Sequence, residues 1–136
     1  MHLVAELRMN MVSAFQKVVF HNYCNFNGRA RRPEYWWFAL DSFIIGIVLA
    51  AINEWAVSSG SFLAIVLTSI FYYGISLALL LPSLGVAWRR LHDIGKGGQW
   101  YWICLIPIIG FIWLIVLLCQ PSEPQENRFG SELEEE

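Results

Sequence analysis

Three stretches of this chain stay apolar for long enough to cross a bilayer: Trp36–Ile52, Phe62–Leu81 and Tyr101–Cys119. A hydrocarbon core of ~30 Å needs about 20 helical residues at ~1.5 Å each. The second and third stretches contain no charged residue, and the first contains only Asp41, near its start. The first is short, so it fits with help from its aromatic flank or some tilt. Upstream, Val4, Leu7, Met11, Ala14 and Val18 recur at steps of three and four, with Glu6, Arg8, Asn10, Ser13, Gln16 and Lys17 on other faces. That spacing predicts an amphipathic helix. Two placements are open for it: the cytoplasmic headgroup layer, or the protein's own cytoplasmic loop. The last stretch, Pro121–Glu136, holds two prolines, six glutamates and few apolar residues, and it reads as a disordered tail. The expected architecture is all-α: a polytopic membrane protein with three transmembrane helices plus an N-terminal amphipathic helix. It forms one integral membrane domain over 1–120, followed by an acidic tail over 121–136.

Charge orients this arrangement. Arg8, Lys17, Arg29, Arg31 and Arg32 precede the first span, and Arg89, Arg90 and Lys96 lie between the second and third. The loop Asn53–Ser61 has no basic residue and the tail has only Arg128. Basic residues collect on the cytoplasmic side of inner membranes. The N-terminus and the Ser83–Trp100 loop are therefore expected inside, with the first loop and the acidic tail outside. Trp36, Trp37, Trp88, Trp100 and Trp102 flank the inner ends, and Trp55 flanks the outer one. These are the positions such amphipathic rings favour, and only Trp113 falls in mid-span. The first strong apolar run follows a cluster of arginines, so no cleaved signal peptide is expected.

Composition agrees with the pattern. Of 136 residues, 57% are hydrophobic and 15% charged, too apolar for a water-soluble enzyme. Cys24, Cys104 and Cys119 lack C-x-x-C spacing, so neither a disulfide nor a metal site is expected. A cofactor and a nucleic-acid partner are not expected either.

Two polar blocks stand out. In Phe26–Trp37, Gly28 permits a turn, Pro33 suits a first helical turn, and Glu34 faces the positive end of the helix dipole. Arg29, Arg31 and Arg32 either fix the orientation of the span or bind anionic lipid headgroups. In Pro82–Trp100, Pro82 is expected to kink or end the second span. There Arg89, Arg90, His92 and Lys96 converge with several glycines, either as a tight basic hairpin or as a phosphate-sized anion pocket. His92 and Asp93 are adjacent on a helix and diverge by about 100°, and no nucleophile motif accompanies them, so no catalytic residue is assigned. Asp41 and Asp93 are candidates for structural polar pairing, Asp41 with the interface or with Arg89 or Arg90. Ser42, Gly46 and Ala50 form a small-residue ridge suited to close helix approach, and Pro107 with Gly110 predicts a bend in the third span.

These blocks carry a resemblance. Phe26-x-Gly28-Arg29-x-Arg31-Arg32-x-Glu34-Tyr35-Trp36-Trp37-Phe38 is followed by Pro82-x-Leu84, then by Arg89-Arg90-Leu91-His92-Asp93-Ile94-Gly95-Lys96-x-Gly98. With Pro107-x-x-Gly110 and Asn127-Arg128-Phe129-Gly130, the series resembles the DUF805 family of small bacterial inner-membrane proteins over about Met11 to Gly130. The resemblance implies a small helical bundle in the bacterial inner membrane and brings no catalytic role. The expected function is non-enzymatic: an arginine-rich cytoplasmic face that binds acidic phospholipid or a protein partner, with a homo-oligomer among the options. The alternative is a transport or lipid-moving subunit in which Asp41, Arg90 and His92 line one polar cavity.

Overall fold

The structure, a computed structural model, describes residues 10–124 and 127–130. Val4, Leu7 and their polar neighbours in the expected amphipathic helix lie outside the described residues, as do tail positions 125–126 and 131–136. The described residues are helical and contain no strand. Helix α1 (Met11–Phe15) opens on a reciprocal cap. The Asn10 side chain accepts the Ser13 N–H at 2.9 Å, and the Ser13 hydroxyl oxygen accepts the Asn10 N–H at 2.9 Å. It continues as a widened π-helical stretch, Gln16–His21.

Helix α2 (Arg32–Ser59) starts where Pro33 fits the first turn and Glu34 complements the dipole. It ends at Gly60, whose left-handed φ of 73° closes the terminus through an N–H to the Val57 carbonyl. Ser61 caps helix α3 (Phe62–Asp93) by accepting the Ala64 N–H, so α2 and α3 form a tight hairpin. Near the closed end, the Thr68 and Ser69 hydroxyls both donate to Asn53 Oδ1, at 3.0 and 3.2 Å. At 28 and 32 residues, the two helices are about 42 and 48 Å long. Both are long and apolar enough to cross a membrane, and none of the most apolar window of α3 is buried. Beyond that window the environment changes. Pro82 does not end α3, and from Pro82 to Asp93 the helix becomes largely buried against other segments. Gly46 and Ala50 of the small-residue ridge are exposed, and nothing lies within 4 Å of a Cβ placed on Gly46.

Helix α1 packs on the first long helix, in antiparallel sense. Lys17 meets Glu34, Phe15 stacks on Phe38 at 6.0 Å, and Met11 and Val12 reach the level of Ile44 and Ile45. Val18, Ala30, Phe38 and Val86 form the core beneath it.

The expected third span over Tyr101–Cys119 is not one continuous helix. A 3-10 stretch, Gly98–Leu105, is followed by a turn in which Ile108 adopts φ 65°, and then by α4 (Ile109–Leu118). The segment folds back on itself. Gly98 sits hard against the Trp88 ring, while at the other end the Leu118 carbonyl accepts the Arg90 Nε–H at 3.1 Å. Both ends therefore lie beside the same part of α3. Each arm is about 15 Å long, half a bilayer. Pro107 contributes no amide donor at the turn. Gly110 lets the arms close, because a Cβ there would collide with the Ile103 carbonyl oxygen. Leu114, Leu117 and Leu118 pack on Leu91 with Tyr101 and Ile103 as the second core.

Residues 121–124 and 127–130 are docked on the end of the molecule that holds Arg29 and Asp93, through several hydrogen bonds.

Candidate functional site

Beyond the apolar window, α3 presents Arg89, Arg90, His92 and Asp93 on successive faces, and the segments around it supply partners. The loop before α2 crosses this end: Gly28 turns at φ 91°, and the Ala30 N–H donates to the Arg89 carbonyl at 3.0 Å. Gly85 gives the loop room, since a Cβ there would press on the Asn25 carbonyl at 3.1 Å.

Two buried carboxylates organise the cations. Glu34 accepts from Arg89 Nη1 at 2.6 Å and has Lys17 Nζ 3.2 Å from its other oxygen. Asp93 accepts from Arg29 Nε at 2.8 Å and from Arg90 Nη1 at 3.1 Å, with the Ser122 hydroxyl donating to Oδ2 as well. The glutamate, the aspartate and Arg90 are wholly buried. The tail takes up what remains. Arg29 donates to the carbonyls of Glu123 at 2.7 Å and Gly130 at 3.2 Å, and Arg90 donates to that of Gln120. Asn127 donates to the His92 carbonyl at 3.1 Å and to Glu123 Oε1 at 2.5 Å.

His92 is a structural histidine here. Its Nδ1 donates to the Gly28 carbonyl at 2.8 Å, which fixes the tautomer, and its ring stacks on Phe129 with centroids 3.9 Å apart. Burial pushes its pKa below the ordinary value; the Gly28 bond opposes this, and Arg128 and Arg89 add to it.

Of the residues singled out for headgroup or anion binding, Arg29, Arg89, Arg90 and His92 are therefore turned inward, onto Glu34, Asp93 and backbone carbonyls. Lys96 is half-buried with Nζ 5.0 Å from the Trp100 ring centre. Arg31 and Arg32 lie at the start of α2. With Pro33, Trp36 and Trp37 on one wall and Pro121–Pro124 on the other, they line a groove of about 600 Å³ at the N-terminus of α2. Arg32 is exposed and donates to the Cys119 carbonyl at 3.4 Å, and Trp36 Nε1 donates to Leu118 at 3.3 Å.

Asp93 is paired. Asp41 is not paired with Arg89 or Arg90: it lines a separate cavity between α1 and α2. The lining of that cavity among the described residues includes neither Arg90 nor His92. Among the described residues, no group of three His, Cys, Asp or Glu side chains is placed to hold a metal ion. The tail residues Ser122, Glu123, Asn127 and Phe129 were the partners that low hydropathy concealed; Asn127-Arg128-Phe129-Gly130 was their trace in the sequence.

A family model described as protein of unknown function (DUF805) matches residues 23–131. Inner membrane protein YhaH of Escherichia coli (strain K12) is 43% identical over 115 residues, covering 82% of this chain and 89% of that protein. Inner membrane protein YhaI of the same strain is 40% identical over 114 residues, covering 84% and 90%. No solved structure matches.

Proposed function

Because the chain belongs to the DUF805 family and has relatives named as inner membrane proteins, we propose that it is a non-enzymatic component of the bacterial inner membrane that holds acidic phospholipid headgroups in the groove at Arg31 and Arg32. In this reading α2 and α3 cross the bilayer, the Gly98–Leu118 segment enters and leaves from the cytoplasmic side, and both described ends of the chain are cytoplasmic. Eight of the nine basic residues then belong to the inner side by sequence position, and Arg128 joins them through the docked tail.

One observation carries the choice of groove: the buried arginines are committed to Glu34, Asp93 and tail carbonyls, whereas Arg32 is exposed beside two tryptophans at the end of an apolar helix. Such a position suits a headgroup phosphate. Arginine offers paired donors to its oxygens, the start of α2 adds the positive end of a helix dipole, and indole rings favour the interface. A basic side chain at an acidic surface contributes about 1 kcal/mol, so losing two weakens retention roughly thirtyfold. Native mass spectrometry from mild detergent tests this. Arg31→Gln with Arg32→Gln should release phosphatidylglycerol that the unaltered protein keeps, in a salt-dependent manner. Equal retention with equal salt dependence contradicts the proposal.

A further inference from the structure

We propose that the cavity between α1 and α2 around Asp41, separate from the basic groove, binds a primary ammonium carried on an apolar chain. The cavity measures about 440 Å³, within the range of small-molecule sites. Its walls include Val12, Phe15, Phe20 and Ile44, with Gln16 and Asp41 as the polar groups. The Asp41 residue is only 8% exposed, yet its Oδ2 has no hydrogen-bond partner among the described residues.

That combination is unusual on energetic grounds. A carboxylate in apolar surroundings is costly unless a cation or a set of donors faces it. The two arginines nearest in sequence logic are bound elsewhere: Arg89 to Glu34 and Arg90 to Asp93 and the Leu118 carbonyl. Asp41 also lies five residues beyond Trp36, ~7 Å further along the helix, away from the groove. A ligand ammonium supplies both missing elements, since it brings the opposite charge and three N–H donors. The remaining surface then accounts for the rest of the ligand. The cavity is otherwise apolar, and aromatic rings such as those of Phe15 and Phe20 in its lining suit both a cation and a methylene chain. The ammonium of a lipid headgroup and that of a free alkylamine share this chemistry.

Dodecylammonium is the probe, titrated against the full chain in phosphatidylglycerol nanodiscs, with 1-dodecanol as the uncharged control of equal length. The expected result is saturable binding of one dodecylammonium per chain, at least tenfold weaker in Asp41→Asn, with dodecanol uptake alike in both proteins. Val12→Trp fills the cavity and leaves the carboxylate in place, so it should weaken binding as well, and it carries the test if Asp41→Asn does not fold. Unchanged dodecylammonium binding in either folded variant, or dodecanol binding as tightly as the amine, overturns the site. Adding phosphatidylethanolamine identifies the source: competition assigns the site to a lipid amine, and unchanged affinity assigns it to a free amphiphile.

Discussion

Neutralising Glu34 would leave the buried Arg89 guanidinium without its counter-charge, next to the partly exposed Lys17 ammonium. Breaking a buried ion pair by deleting one partner costs about 3–5 kcal/mol, because the surviving charge stays desolvated. Glu34→Gln should therefore lower the thermal unfolding temperature in detergent markedly, and Glu34→Gln combined with Arg89→Met should recover part of the loss. A single variant as stable as the parent would refute the pairing. At this scale the sequence was informative about which residues matter and less so about what they touch. Arg29, Arg89, Arg90, His92 and Asp93 do converge. Spacing alone left two roles open for the cations, orienting the span or facing a ligand, since nothing in a linear pattern reveals that Glu34 and the tail carbonyls arrive from 30 to 101 positions away to receive them. Asp41 is the converse case: its depth in an apolar run was plain, and of its two expected placements the pairing with Arg89 or Arg90 is absent, since those arginines are held by Glu34 and Asp93.

Among the elements, the two long helices were legible from their apolar runs and the Pro33–Glu34 opening, although they continue past the expected ends at Ile52 and Leu81, to Ser59 and Asp93. The third apolar run was not. Twenty apolar residues describe equally a helix that crosses once and two half-depth arms that return, and only the local chemistry of Pro107, Ile108 and Gly110 separates the cases. A bend was visible there; its size was not, because it depends on the Gly110 backbone touching the Ile103 carbonyl. Gly110→Ala sets a methyl group against that backbone oxygen, which has no rotamer through which to escape. We expect destabilisation of about 1–3 kcal/mol by thermal unfolding, the range for an overpacked contact. Gly46→Ala, where the added carbon meets open space, should leave stability nearly unchanged and serves as the control. Equal effects of the two substitutions would mean that the arms do not close as described.

The whole molecule divides into two zones. Around the middle of α2 and α3 the surface is apolar and exposed, as lipid demands. At the other end, Pro82–Asp93, the loop before α2 and the tail enclose a charged layer in which Arg90, Glu34 and Asp93 are withdrawn from solvent. Hydropathy located the first zone. The second escaped it because a segment such as Asn127–Gly130 has too little apolar surface to signal docking by composition, and is instead held by the Asn127 and Arg29 hydrogen bonds and the His92–Phe129 stack. The central claim is that this layer gathers both described ends of the chain on one side of the membrane. The direct measurement is labelling with a membrane-impermeant maleimide in bacterial spheroplasts, after Cys24, Cys104 and Cys119 have been replaced by serine. Ser58→Cys, in the last turn of α2, should be labelled from outside, and Arg128→Cys should be labelled only after the membrane is permeabilised. Labelling of Arg128→Cys in intact spheroplasts that also label Ser58→Cys would contradict the account and restore a third crossing.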